Sequence, residues 1–175
     1  MRAALLAVAG LALLAAPAAG QARTKTKEAS APLAIELLEL CELYADGDVL
    51  ANATATDEGW QATETETDSV FVRSFDATKT VEGVGDVALF SLVESYPLVT
   101  LGYCRVDITS PQSDIGVAEL DTLERLTGEL QSDENGIYGV WNATEAGANY
   151  LLLANQDDYG FGLQLTTLEP VGGEQ

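Results

Sequence analysis

Histidine is absent from the 175-residue chain, and basic residues are scarce: eight Lys and Arg stand against 28 Asp and Glu, a net charge of −20. Without histidine, Ser-His-Asp and Cys-His triads, HExxH zinc sites and imidazole general bases cannot be built from this chain. Two cysteines alone leave a structural zinc site short of ligands. No phosphate-binding loop, dinucleotide glycine fingerprint, nucleophile elbow or EF-hand spacing is present. The lysines are Lys25, Lys27 and Lys79; the first two fall in a polar leader and the third in an expected loop, so no desolvated lysine nucleophile is expected. The pattern therefore calls for no cofactor and no metal. Such an acidic field repels nucleic acid and anionic membrane surfaces, and attracts a basic protein or a cation. Solubility alone is the plainer use of the same charge.

What is present begins at the N-terminus. Arg2, an apolar run from Ala3 to Ala16, and a small-residue exit at Ala18, Ala19, Gly20, Gln21 and Ala22 have the three-part layout of a secretory signal peptide. The run is too short to span a membrane, which takes about 20 apolar residues, so cleavage near Ala22 and release are expected. No cysteine follows closely enough to accept a lipid. The expected organisation is a signal peptide over 1–22, a polar leader over 23–31, one α+β domain over 32–170 and a tail over 171–175. Losing Arg2 with the signal peptide leaves a mature net charge of −21. The implied compartment is the periplasm or the exterior, with no membrane insertion after cleavage.

In an oxidising compartment, Cys41 and Cys104 are expected to form a disulfide; two buried thiols or a redox pair are the alternatives, the latter without its CxxC spacing. Leu33, Leu37, Leu40, Cys41 and Tyr44 form one stripe of a helix over 32–45, with Ser30 as candidate cap. Asp48 can cap a short second helix. Strands are expected over Val70–Phe75, Asp86–Glu94 (apolar on both parities) and Leu98–Ile108, where Cys104 shares a face with Leu98, Val106 and Ile108. A third helix after Ser110-Pro111 would present Val117, Leu120 and Leu123, with an Asp121–Arg125 surface pair. Asp133-Glu-Asn-Gly136 signals a tight hairpin into Ile137–Trp141, and two more strands follow over Asn149–Asn155 and Tyr159–Leu168. The fold class is α+β: a largely antiparallel sheet carrying an N-terminal helical pair, one further helix and one disulfide.

Among so many carboxylates no catalytic pair can be singled out. Asp46, Asp48, Asp157 and Asp158 are most simply solvated turn acids, and Arg73 and Arg105 most simply pair with acids on neighbouring strands. The aromatic residues are mostly core by type. Tyr138 and Trp141 are the first candidates for a binding surface.

The segments Cys41-Glu-Leu-Tyr44-Ala-Asp-Gly47, Glu58-Gly-Trp60, Ser95-Tyr-Pro97, Gly102-Tyr-Cys104 and Tyr138-Gly-Val-Trp141-Asn resemble a family of small secreted proteins of alphaproteobacteria. That resemblance implies a periplasmic location and carries no activity. The leading expectation is a non-enzymatic periplasmic binding or interaction protein, such as an inhibitor or accessory factor for a basic partner, with a glycan or peptide as other ligands. The alternative is a carboxylate-dependent hydrolase acting on cell-envelope glycans. Paired acids in an aromatic-lined cleft would favour the enzyme; an aromatic patch with an acidic rim would favour the binder.

Overall fold

In the computed structural model of the chain, the described residues are 32–46, 51–145 and 148–171. The expected signal peptide, the leader with Ser30, and Asp48 lie outside them. Eight strands, β1 (Gln61–Thr65), β2 (Val72–Val81), β3 (Gly85–Ser95), β4 (Val99–Thr109), β5 (Thr127–Asp133), β6 (Gly136–Glu145), β7 (Ala148–Asp157) and β8 (Gly160–Pro170), form one antiparallel sheet in the order β1-β2-β3-β4-β8-β7-β6-β5. Two four-stranded meanders thus meet where β4 pairs with β8. Edges remain at β1 and β5.

Helix α1 (Leu33–Ala45) lies across β3, β4 and β8. Its apolar stripe is as the 3.6 period predicts: Leu37, Leu40, Cys41 and Tyr44 are buried, joined by Ala34, Leu38 and Ala45. Pro32 occupies the cap position without a side-chain bond, and the Ala34 N–H donates instead to the Ile115 carbonyl at 3.0 Å. A short helix, α2 (Ala51–Asp57), packs on β1. Against this inner face, β3, β4 and β8 present Val87, Leu89, Val93, Cys104, Val106, Ile108, Phe161, Leu163 and Leu165, all buried. This is the core.

The meanders turn on acidic side chains. Asp133 pairs with Gly136 across a two-residue turn, and its Oδ1 accepts the Asn135 N–H at 2.7 Å. Positive φ is needed only at Gly136, 151°, so the expected Asn-Gly signal marks the hairpin but sits one residue later than a left-handed pair would. At the β7–β8 turn, Asp157 Oδ1 accepts from the N–H groups of Tyr159 and Gly160 at 2.8 and 2.9 Å. These acids are turn formers.

Several expectations are corrected. The strand expected over Val70–Phe75 begins at Val72 and runs to Val81, which places Lys79 in a strand, not a loop. Gln61–Thr65, outside every strand expected from the sequence, is a strand of its own. β3 is apolar on both parities yet buried on only one, because Ala88 and Phe90 face water. Leu98 precedes β4 and is exposed, so it does not share the Cys104 face. The third helix, α3 (Val117–Leu120), is a single turn: Val117 and Leu120 are buried, and the helix ends before the i, i+4 geometry could join Asp121 to Arg125.

Candidate interaction surface

The inner face is sealed by bonds between elements distant in sequence. Cys41 and Cys104 form the disulfide, Cα atoms 5.3 Å apart, tying α1 to β4 across 63 residues of separation. Two positions along from Cys104, a side chain on Gly102 would meet the Ala45 carbonyl, so only glycine lets the end of α1 settle on β4. Glu42 of α1 receives Arg125 Nη2 at 3.0 Å and the Tyr150 hydroxyl at 3.2 Å, so one carboxylate joins α1 to the segment after α3 and to β7. Burial, with the Glu42 charge next, raises the Tyr150 pKa above its ordinary value. Tyr44 packs its ring 4.7 Å from that of Phe75, and its buried hydroxyl has no hydrogen-bond partner among the described residues. Its pKa is pushed up to about 12, first by burial and then by the Glu58 charge.

The outer face carries no described element. Strand register assembles it into rows. One row runs Leu92, Tyr103, Thr166, Leu151, Asn142, Thr127; the next runs Phe90, Arg105, Gln164, Leu153, Val140, Glu129. A third runs Ala88, Asp107, Gly162, Asn155, Tyr138, Gln131. Phe90, Tyr138, Val140, Leu151 and Leu168 are each 38–46 % exposed. Five large apolar side chains on one open sheet face exceed the scatter of single surface hydrophobics that needs no explanation. Phe90 and Tyr103 hold their rings 6.2 Å apart, and the Tyr103 hydroxyl donates to Gln164 Oε1 at 3.3 Å. Arg105 is engaged along its own strand by a two-bond pair with Asp107, at 2.7 and 2.8 Å, not by an acid on a neighbouring strand. Asp76 and Asp86 on β2 and β3, with Glu129 and Asp133 on β5, place exposed negative charge at the two ends of these rows, and the Arg105–Asp107 pair stands between Phe90 and the apolar group of Tyr138, Val140, Leu151 and Leu168.

The two predicted surface residues separate. Tyr138 belongs to the outer face and is 40 % exposed. Trp141 is fully buried on the inner face; its ring lies over Gly139, and its Nε1 donates to Asp121 Oδ1 at 2.9 Å. It is therefore a core residue. Sequence reasoning missed Phe90, Val140, Leu151 and Leu168, and the signal that finds them is parity: Phe90, Val140 and Leu151 each adjoin a buried residue on their strand, and Leu168 has the opposite parity to buried Leu163 and Leu165.

The carboxylates gather at two other places. Glu36, Glu39 and Glu58 line a cleft beside α1 with Leu40, Leu43 and Lys79. Lys79 Nζ donates to the Glu58 carbonyl at 2.8 Å and stands 5.6 Å from the Trp60 ring centre. Those three glutamates are exposed, whereas a carboxyl poised as a general acid is held in a dry pocket. Asp114, Asp133, Glu134, Asp157 and Asp158 line a second groove, where Asp114, Asp133 and Asp157 already bind their own turns. Among the described residues no group of three or more His, Cys, Asp or Glu is arranged to hold a metal ion. Comparison with known protein families, with curated proteins and with solved structures finds no match to this chain.

Proposed function

We propose that this chain is an exported binding protein that takes a basic, partly apolar partner on the outer face of its sheet. The observation that carries the reading is the half-exposed apolar group of Tyr138, Val140, Leu151 and Leu168 on β6, β7 and β8, with Glu129 and Asp133 of β5 beside it. Apolar contact supplies affinity at the centre of such a patch, and charge at its edge steers the partner in. In this reading α1 and α2 act as an N-terminal helical pair that closes the inner face and leaves the outer one free. The alphaproteobacterial resemblance and the signal-peptide pattern over 1–22 support a periplasmic setting. A disulfide fits an oxidising compartment, and no described helix is long and apolar enough to cross a membrane.

The test is kinetic. A synthetic peptide bearing lysine and leucine should associate with the intact protein, and its association rate should fall steeply with added salt while dissociation changes less, because exposed charges are screened over about 10 Å at 0.1 M. A glutamate-for-lysine version that binds equally well, or an association rate indifferent to salt, contradicts the reading.

A further inference from the structure

One part of this surface has a feature the rest lacks, an unpaired backbone. β5 ends the sheet, pairs only with β6 among the described residues, and is exposed at every position except half-buried Leu130. The opposite edge differs: β1 is two residues shorter and has α2 packed against it. An open edge offers unpaired N–H and C=O groups as a template for another strand, and proteins that must stay unpaired blunt such edges with lysine, proline or a cover. β5, Thr-Gly-Glu-Leu-Gln-Ser-Asp, has no lysine, no proline and, among the described residues, no cover; the charges it does carry, Glu129 and Asp133, repel only an acidic strand.

Its side chains state what would fit. By register, Thr127, Glu129, Gln131 and Asp133 stand on the outer face beside Asn142, Val140, Tyr138 and Gly136 of β6, while Gly128, Leu130 and Ser132 stand on the inner face. Glu129 and Asp133 bear the only charges on β5 and are both acidic; neither β5 nor β6 contains Lys or Arg. Thr127, Glu129, Gln131, Tyr138, Val140 and Asn142 together border one shallow depression along this edge.

We propose that β5 captures its partner as an added strand: an extended basic segment with cations at alternate residues. Cations on one side meet Glu129 and Asp133, and the residues between them turn toward Leu130. Main-chain hydrogen bonds supply affinity, and the alternating side chains supply selectivity. A second copy of this chain is disfavoured as occupant, because each mature copy carries −21. This inference rests on the binding reading above and makes its basic partner extended.

The probe is the peptide acetyl-Thr-Lys-Val-Lys-Val-Lys-Thr-amide, with a second version N-methylated at every residue, of equal charge but with no residue N–H to donate to β5 from either edge. Bound to the intact protein, the first should slow hydrogen exchange at alternate β5 amides, and the second should bind about tenfold more weakly. Glu129→Gln with Asp133→Asn, both at exposed positions, should weaken the first peptide severalfold. Equal binding of the two peptides overturns strand addition and leaves the broader binding reading standing. Failure of both peptides while the lysine–leucine peptide binds does the same, and failure of all three removes both. Two further results overturn the assignment of occupant: β5 protection that grows with protein concentration alone, which marks a second copy, and β5 protection that vanishes when residues 23–31 are deleted, which marks the chain's own basic leader.

Discussion

The two faces of one sheet are built from similar side chains and meet opposite fates. On β3, Val87, Leu89 and Val93 are buried beneath α1, while Phe90, between Leu89 and Ser91, remains 38 % exposed. On β7, Leu152 is fully buried and its neighbour Leu151 is 39 % exposed. Composition does not separate these positions; the presence of α1 on one face does. Apolar content on a strand thus reports what could be covered, and only the placement of a helix decides which parity is. The inner face is organised for stability, and the outer face retains apolar area that folding leaves unused.

That contrast can be broken most forcefully from the inside. Cys41→Ala or Cys104→Ala releases α1 from β4; for a loop of 63 residues the chain-entropy model assigns the bridge about 4 kcal/mol, a large share of a small domain's stability. Equilibrium urea unfolding of oxidised protein and variant should show that loss, and a difference under about 1 kcal/mol would mean that α1 is held mainly by packing.

Gly102→Ala should follow, because a methyl group there meets the Ala45 carbonyl, main chain that cannot swing aside. Overpacking of this kind costs about 1–3 kcal/mol. The same unfolding experiment checks it, and a neutral result would show that the end of α1 yields freely.

Tyr44 sharpens the comparison by reversing its sign. Its buried hydroxyl has no partner among the described residues, and an unsatisfied buried polar group costs about 1–3 kcal/mol, so Tyr44→Phe should raise stability by about 1 kcal/mol at neutral pH. Burial and Glu58 hold the folded pKa at about 12 against an ordinary 10.0. The unfolded chain therefore ionises first, and stability that is complete below pH 10 is lost as pH rises through 12. The loss amounts to about 2–3 kcal/mol from this residue, with Tyr150, raised by burial and Glu42, acting in the same direction. Urea midpoints followed from pH 9 to 12 should show a shallower decline in Tyr44→Phe; identical slopes would exclude Tyr44 as a source.

The smallest stability effects belong outside. Leu151→Asn and Val140→Thr, on the open face, should shift unfolding by no more than about 0.5 kcal/mol. A loss of several kcal/mol at Leu151 would mean that the outer face is as structural as the inner one.

How much of this was readable beforehand follows from the same contrast. Two cysteines allow a single pairing, and α1 could be drawn from its stripe because Leu37, Leu40, Cys41 and Tyr44 answer to a single helical period. β1 was illegible because Gln61–Thr65 is exposed on both parities apart from half-buried Ala62, so no alternation marks it. Trp141 was misplaced because residue type does not report face; its burial depends on the clearance at Gly139 and on Asp121, which is 20 residues earlier in sequence. Arg125 turned to Glu42, a partner 83 residues away, because α3 ends at Leu120. Of the two residues named for a surface, Tyr138 is exposed on the outer face and Trp141 is buried, whereas Phe90 and Leu151 sit on strands whose two faces read alike and Leu168 follows the break in the alternation of β8 at Thr166-Thr167.

Methyl and amide chemical-shift mapping during titration with the lysine–leucine peptide tests the central claim most directly. The outer face predicts movement at Val140, Leu151, Leu153 and Leu168, weakening as salt rises, with Leu37, Leu152 and Leu165 of the core unmoved. Movement confined to the cleft of Glu36, Glu39 and Glu58, or shifts spread through the core, would contradict it.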